Sequence, residues 1–278
     1  MPVDKANRVL RYVILILLSV LCLFSFYILI VNSTRLHSQI QKGFSILPDN
    51  FFTRNLNNVL ANKEVPVVKG IINSLFVAGA SALLATYFSA LTAFSIHIYE
   101  FRFKKLVFTF IMMIMMIPAQ VSALGFLRWM SSLNMLDSLV PLFLPSVASP
   151  IVFYFMYSYM QSNLPKAVIE ASRMDGASEF RTFNRVVIPI MKPALAVQAI
   201  FTFVGSWNNY FIPSLLLRSK EKKTMPILVA QLRSADYLKF DMGQVYTLIF
   251  LAIIPIIVIY ILLSKYIVRG VAVGSVKE

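Results

Sequence analysis

Glu170-Ala-Ser-Arg-Met-Asp-Gly-Ala-Ser-Glu-Phe-Arg-Thr-Phe-Asn-Arg-Val-Val-Ile-Pro189 is the longest polar interval between apolar runs that still carries a structural pattern. It sets Glu170, Asp175 and Glu179 against Arg173, Arg181 and Arg185. Just upstream, Asn163 can cap a helix and Pro165 suits its first turn. Ala167, Val168, Ala171 and Met174 then recur at spacings of three and four, which makes an apolar stripe on a helix. Glu170 and Arg173 are spaced as an i,i+3 pair, a contact worth a few tenths of a kcal/mol. Asp175-Gly176 is a turn signal. Ser178 can cap a second short helix, with Glu179 on its positive end and Phe180, Phe183 and Val187 on its apolar face. Two short amphipathic helices joined at a glycine are expected over 163–189, as a docking element between two apolar runs.

The flanking sequence says where that element sits. Of the 278 residues, 58% are hydrophobic and 14% charged; soluble domains run at roughly half apolar and about a quarter charged. Mean hydropathy is +0.74. These values belong to an integral membrane protein. Lys and Arg number 26 against 12 acids, a net charge of +14. In a multi-pass protein such an excess collects in cytoplasmic loops. It does not point to nucleic acid, because no basic stretch is interleaved with stacking aromatics. Cys22 is the single cysteine and can form no intrachain disulfide.

Six apolar runs are expected to span the bilayer, at about 12–31, 70–98, 106–127, 139–160, 190–217 and 244–264, in a single all-α domain covering 1–278. The first follows Lys5, Arg8 and Arg11 and is longer than the ~7–15-residue core of a signal peptide, so it reads as an uncleaved span. Residues 32–69 are polar, with a turn at Pro48, Asp49 and Asn50, and read as an external loop folded against the membrane face. The second run is rich in small residues (Gly79, Ala80, Ser81, Ala82, Ala85, Ser89, Ala90, Ala93) that let helices approach closely. Arg102, Lys104 and Lys105 mark the next short loop as cytoplasmic. Pro118 interrupts the third run, and such a break survives in lipid only where protein or a watery cavity satisfies the freed carbonyl. Pro141, Pro145 and Pro150 make the entry to the fourth irregular. The fifth ends in a break at Trp207-Asn208-Asn209-Tyr210, and 218–243 reads as a polar loop with six basic residues. Lys265, Arg269 and Lys277 close the chain. Six spans put both termini on one side, and the short-loop charges make that side, and 163–189 with it, cytoplasmic.

Three readings compete for 163–189. A helix-turn-helix reading DNA is disfavoured, because the next span begins within a few residues of Val187. Two helices lying passively at the interface also fit the pattern. The spacing favours docking. The segment resembles the EAA loop of ABC importer permease subunits: Glu-Ala-Ala, three residues, Gly, nine residues, then Ile-x-Leu-Pro. Glu170-Ala171-Ser172, Gly176 and Val186-Val187-Ile188-Pro189 stand at those positions, with Ser172 for Ala, Val186 for Ile and Ile188 for Leu. Phe203-Val-Gly-Ser-Trp-Asn-Asn-Tyr-Phe-Ile-Pro213 resembles the Trp-Asn motif of carbohydrate importer permeases. The tail Arg269-Gly-Val-Ala-Val-Gly-Ser-Val-Lys-Glu278 resembles the Gly-rich ending of the maltose-type second permease subunit.

That resemblance covers essentially the whole chain. It implies a bacterial cytoplasmic-membrane permease that pairs with a second permease subunit as a heterodimer. Two ATP-binding cassette subunits would sit beneath, and an extracellular or periplasmic binding protein would deliver the sugar. Glu170, Ala171, Ser172, Asp175, Gly176 and Pro189 are the implied ATPase-coupling positions. The chain lacks a Gly-x-x-x-x-Gly-Lys-Ser/Thr phosphate cradle. ATP and magnesium therefore belong to the partner ATPase, and no cofactor, metal ligand or catalytic residue is expected here. Aromatic faces and amides suit sugars, so Trp207, Asn208, Asn209 and Tyr210, with Asn73 and Gln120, are the pathway candidates; packing or gating is their alternative role. A permease for another small solute is the neighbouring reading. A self-contained secondary transporter would use intramembrane ionisable residues, but Arg128 and His97 lie only at span ends. A membrane-embedded enzyme would need clustered carboxylates or His at membrane depth, and the sequence has none.

Overall fold

The computed structural model describes residues 2–234 and 240–274, with side chains over 7–118, 120–234 and 240–264. The described residues are helical, with no strand among them. Along the chain, α1 (Pro2–Ser33), α2 (His37–Gln41) and α3 (Phe52–Ala61) lead to a second long helix, α4 (Val67–Ile98). The third apolar run is two helices, α5 (Lys104–Ile114) and α6 (Ala119–Ser132), of 11 and 14 residues. Pro118 separates them with an extended backbone, ψ 129°. α7 (Val140–Phe143) and a 3-10 turn (Leu144–Ala148) precede α8 (Pro150–Asn163), so the prolines do make that entry irregular. Next come α9 (Lys166–Met174), α10 (Glu179–Thr182), a π turn (Phe183–Val187) and α11 (Ile188–Trp207). After a break, α12 (Phe211–Leu216), a 3-10 turn (Lys220–Lys222), α13 (Met225–Arg233) and α14 (Met242–Gly274) complete the chain.

Five helical stretches among the described residues are long and apolar enough to cross a membrane: Asn7–Ser33, Val67–Ile98, Val140–Asn163, Glu179–Trp207 and Met242–Ser264. The run at 106–127 is absent from these because its two halves are each too short. Residues 218–243 are not simply a polar loop. α13 lies within them with Met225 and Leu228 fully buried; its few apolar residues were outweighed in the sequence by six basic neighbours. The glycine-rich tail 269–278 and the side chains of Lys5, Lys265, Arg269 and Lys277 lie outside the residues described in full.

The chain divides into two compact units, Met1–Val68 with Leu228–Ile254, and Lys69–Ile227 with Pro255–Glu278. In the first, residues 7–27 of α1 are exposed all round, and the most apolar 18-residue window of Asn7–Ser33 has a mean hydropathy of 3.0, a surface that only lipid or another apolar helix can cover. Its foot is buried and polar. The Arg35 guanidinium donates to Asn32 Oδ1 (3.1 Å), the Gln39 carbonyl (2.7 Å) and the Gly43 carbonyl (3.1 Å). Asn55 Nδ2 donates to the carbonyls of Ser33 and Arg35, both at 2.9 Å. Thr247 Oγ1 reaches the Ser33 carbonyl at 3.3 Å. The 32–69 segment is thus a folded cap, since buried polar groups persist only when they are paired.

In the second unit α4, α8 and α11 share a core. Ala85, Ala90 and Ala93 of α4 are completely buried and let α8 and the 183–194 stretch come close, as small residues do where lipid offers no hydrophobic drive. Phe183 sits 5.5 Å from Phe94 and 5.6 Å from Tyr87, ring centre to ring centre. Ile169 of α9 enters the same core, so the short polar helix is fastened to the bundle by one apolar side chain.

Candidate functional site

α9 begins after Pro165, which is the residue before its first turn, while Asn163 closes α8 by donating to the Tyr159 carbonyl at 3.0 Å. The capping expected of Asn163 is therefore supplied by no side chain. α9 ends on Gly176, φ +75°. There the Gly176 N–H meets the Arg173 carbonyl (3.0 Å) and the Ala177 N–H meets the Ser172 carbonyl (3.1 Å). This double bond pattern closes a helix C-terminus only with a left-handed residue after the cap. Ser178 then caps α10 by accepting from the Arg181 N–H at 3.4 Å.

The two helices are tied side by side. Arg173 Nε donates to Glu179 Oε1 at 2.7 Å, Tyr99 Oη donates to Glu179 Oε2 at 2.5 Å, and Ser172 Oγ lies 2.9 Å from Thr182 Oγ1. The Arg173 guanidinium also covers the Tyr99 ring at 5.5 Å. Arg173 thus pairs with Glu179, and the anticipated Glu170–Arg173 pair does not form, because the turn brings Glu179 within reach first. Partial burial and the Glu179 carboxylate push the Tyr99 hydroxyl above its ordinary pKa. The same carboxylate raises that of Arg173. These groups are well exposed to solvent, so water screens the ion pair and it acts mainly on geometry.

The stripe Ala167, Val168, Ala171 and Met174 turns away from the bundle; Ile169 packs instead, and Met174 is 89% exposed. Phe180 is likewise exposed, while Phe183 and Val187 are buried. Glu170 beside the stripe makes no hydrogen bond or ion pair among the described residues, and Asp175 is exposed in the turn. Pro189 does not end the second helix. The π turn before it, with the Ile188 N–H on the Phe183 carbonyl, opens the ring that proline would otherwise clash with. Glu179–Trp207 therefore runs as one helix of 29 residues.

Further along that helix lies a cavity of about 340 Å³. Gln198, Thr202 and Ser206, four apart on one face of α11, line it. Ser81 of α4, with Ser146 and Ser149 before α8, lines the other side, and Asn209 lies at the break. Leu142, Ile151, Val152 and Phe201 supply apolar wall, and no charged side chain lines it. Ser206 Oγ donates to Ser81 Oγ at 3.3 Å. Such a surface offers neutral donors and acceptors beside flat apolar contact.

Of the pathway candidates, only Asn209 lines this cavity. Trp207 is 2% exposed and stacks on Phe203 at 5.8 Å, a packing role. Asn208 and Tyr210 are exposed in the break. Asn73 Nδ2 donates to the carbonyls of Glu221 (2.9 Å) and Lys223 (3.1 Å), holding a loop. Gln120 is exposed on α6 and does not reach the cavity. Gln198, Thr202 and Ser206 line the cavity and were not among the sequence candidates, although polar residues at every fourth position of an apolar run are a readable sign.

The family model for the binding-protein-dependent transport system inner membrane component matches residues 83–273. The chain belongs to this family. It is 30% identical over 281 residues to the arabinooligosaccharides transport system permease protein AraQ of Bacillus subtilis (strain 168), covering 99% of this chain and 98% of that protein. It is 28% identical over 264 residues to the sn-glycerol-3-phosphate transport system permease protein UgpE of Yersinia pestis bv. Antiqua (strain Antiqua), covering 93% and 94%. Its fold matches, at a TM-score of 0.82 and 23% identity, a chain in the crystal structure of a bacterial ABC transporter involved in the import of the acidic polysaccharide alginate, over 95% of this chain and 97% of that one. This inner membrane component is a multi-pass protein of the cytoplasmic membrane, and transport in its family depends on a binding protein.

Proposed function

We propose that this inner membrane component is half of the translocation pathway of an ATP-driven importer for a sugar or oligosaccharide. In this reading α5 and α6 together make a sixth crossing, both termini are cytoplasmic, and a second permease subunit completes the pathway. α9 docks by Val168, Glu170, Ala171, Met174 and the Asp175-Gly176 turn into one of two partner ATPases, which hold the ATP and magnesium. A binding protein delivers substrate from outside.

One observation carries the proposal: a single helix joins the two functions. Its first turn is tied to α9 through Arg173–Glu179 and Ser172–Thr182, and its last turns line the cavity with Gln198, Thr202 and Ser206. A displacement of α9 is delivered along an unbroken rod to the pathway, which is what alternating access driven from outside the membrane requires. The neutral amide and hydroxyl lining supports a sugar, as does the arabinooligosaccharide relative. An anionic solute, the reading that the sn-glycerol-3-phosphate relative suggests, would find no cation among the described residues that line this cavity.

The test is uptake and ATPase co-purification with the partner subunits expressed together. Glu170→Lys and Val168→Asp are expected to abolish uptake and release the ATPase while the chain still inserts. Gln198→Ala with Ser206→Ala is expected to raise the half-saturating sugar concentration several-fold with the ATPase retained. Full uptake and co-purification in both α9 variants would sink the coupling role.

A further inference from the structure

A second cavity, about 390 Å³, lies where α4 ends, α5 begins and α8 passes. Its lining divides by chemistry. Ile96, Phe101, Phe108 and Tyr157 form an apolar wall; of these, Ile96 belongs to the core and Phe108 and Tyr157 pack against it. The rim is charged: Arg102, Lys104 and Lys105 against the single carboxylate of Glu100. Glu100 is already occupied, by Lys104 at 2.9 Å and by Lys166 at 3.4 Å. Lys105 has no hydrogen-bond or ion-pair partner among the described residues. Arg102 covers only the Phe103 ring, at 5.6 Å. The rim therefore keeps two cations without counter-charge, and the free N–H groups at the start of α5 add to the same potential.

We propose that this cavity is a binding site for an anionic phospholipid, with its phosphate between Arg102 and Lys105 and its glycerol and upper acyl carbons against the aromatic wall. The cavity opens at the ends of two membrane-crossing helices, at the boundary where a headgroup lies. Basic pockets between membrane helices are suited to such headgroups. A free phosphate ion would satisfy the cations but leave the wall uncovered, whereas a lipid uses both. The site goes beyond the transport reading: it needs only that the chain is embedded in a membrane.

The whole transporter, purified with its partner subunits, is examined by native mass spectrometry from phosphatidylcholine nanodiscs with and without phosphatidylglycerol. Wild type is expected to retain phosphatidylglycerol in preference to phosphatidylcholine. Arg102→Gln with Lys105→Gln is expected to lower that retention by roughly 30-fold, since each cation at an anionic headgroup contributes about fivefold. Arg181→Gln with Arg185→Gln removes equal charge from the exposed α10 region and is expected to leave retention unchanged. Lack of lipid preference in wild type, which needs no variant to fold, overturns the proposal. So does equal loss in the control pair, or inorganic phosphate stabilising the complex as much as the lipid does. Loss of ATPase subunits from the Arg102/Lys105 variant with lipid retention intact would mean the cavity faces a protein instead, and overturns it too.

Discussion

Gly176 separates two reasons why a glycine should stand in a docking turn. Its φ is +75°, and an ideal Cβ built there meets no atom within 4 Å. Within the chain itself, any penalty for a side chain is therefore one of backbone alone. An alanine in the left-handed region costs roughly 1–2 kcal/mol, while asparagine is tolerated at this position of a helix end. The cost falls on the two hydrogen bonds that close α9, from Gly176 and Ala177 to Arg173 and Ser172. An increment of about 1–2 kcal/mol shifts the balance between the closed and frayed turn by a factor of roughly 5–30. Valine, β-branched and an outlier at positive φ, costs more. Uptake and ATPase co-purification are therefore expected to rank Gly176 close to Gly176→Asn, then Gly176→Ala, then Gly176→Val. The reasoning is refuted if alanine is the mildest change and asparagine as harmful as valine. That order follows side-chain volume, and it would mean that a partner surface closes on the turn and leaves no room for a Cβ.

The remaining expectations concern other parts of the chain. Gly243→Ala puts a Cβ 2.8 Å from both the Arg35 carbonyl and Asn55 Nδ2, so it is expected to destabilise by about 1–3 kcal/mol, read as a lower thermal midpoint; Gly79→Ala, which meets nothing, is the neutral control. Trp207→Ala is expected to lose about 3–5 kcal/mol of packing and reduce complex yield, while Asn209→Ala keeps the midpoint and weakens substrate affinity; the reverse pattern would return Trp207 to the pathway. The Asp137 carboxyl is held well below the usual carboxylate range by the Ser219 hydroxyl, then by the N–H groups of Ser219 and Arg218 and by Lys222. Its folded pKa is depressed, so its stabilisation is present above the unfolded value near ~3.9 and is lost as pH falls below it. Acid titration of the thermal midpoint in Asp137→Asn is thus expected to start lower and fall less below about pH 4 than in wild type, and parallel curves would count against the assignment.

What could be read in the sequence followed from local chemistry. Charge-free runs announced membrane helices, prolines announced the irregular entry to α8, and Asp175-Gly176 announced the turn. Small residues announced the tight face of α4, whose Ala85, Ala90 and Ala93 are all buried. What could not be read depended on partners distant in the chain. Ile169, not the more regular stripe beside it, was the residue that packed into the core shared by α4, α8 and α11. Asn73 looked like a pathway amide until a loop about 150 positions away took both its hydrogen bonds. Trp207 carries the aromatic face that a sugar would need, but Phe203 one turn earlier already occupies it.

The π turn at 183–187 is the least legible feature, and the transport reading depends on it most. A proline at 189 normally signals a boundary, which would leave α10 and α11 as separate bodies with a flexible joint between them. The wider ring keeps the helix continuous instead. It also adds a residue's worth of rotation, ~100°, between the part tied to α9 and the part facing the cavity. Arg173 and Thr182 fix one end of that register; Gln198, Thr202 and Ser206 are where it emerges. Without the extra residue the same anchors would turn the polar face of α11 about a quarter of the way round, out of the cavity and towards the apolar surroundings. The buried Phe183 and Val187, at either end of the turn, hold the register in place. The apolar residues first read as the face of a short docking helix therefore have a different place in the fold: they set which side of the following helix lines the cavity.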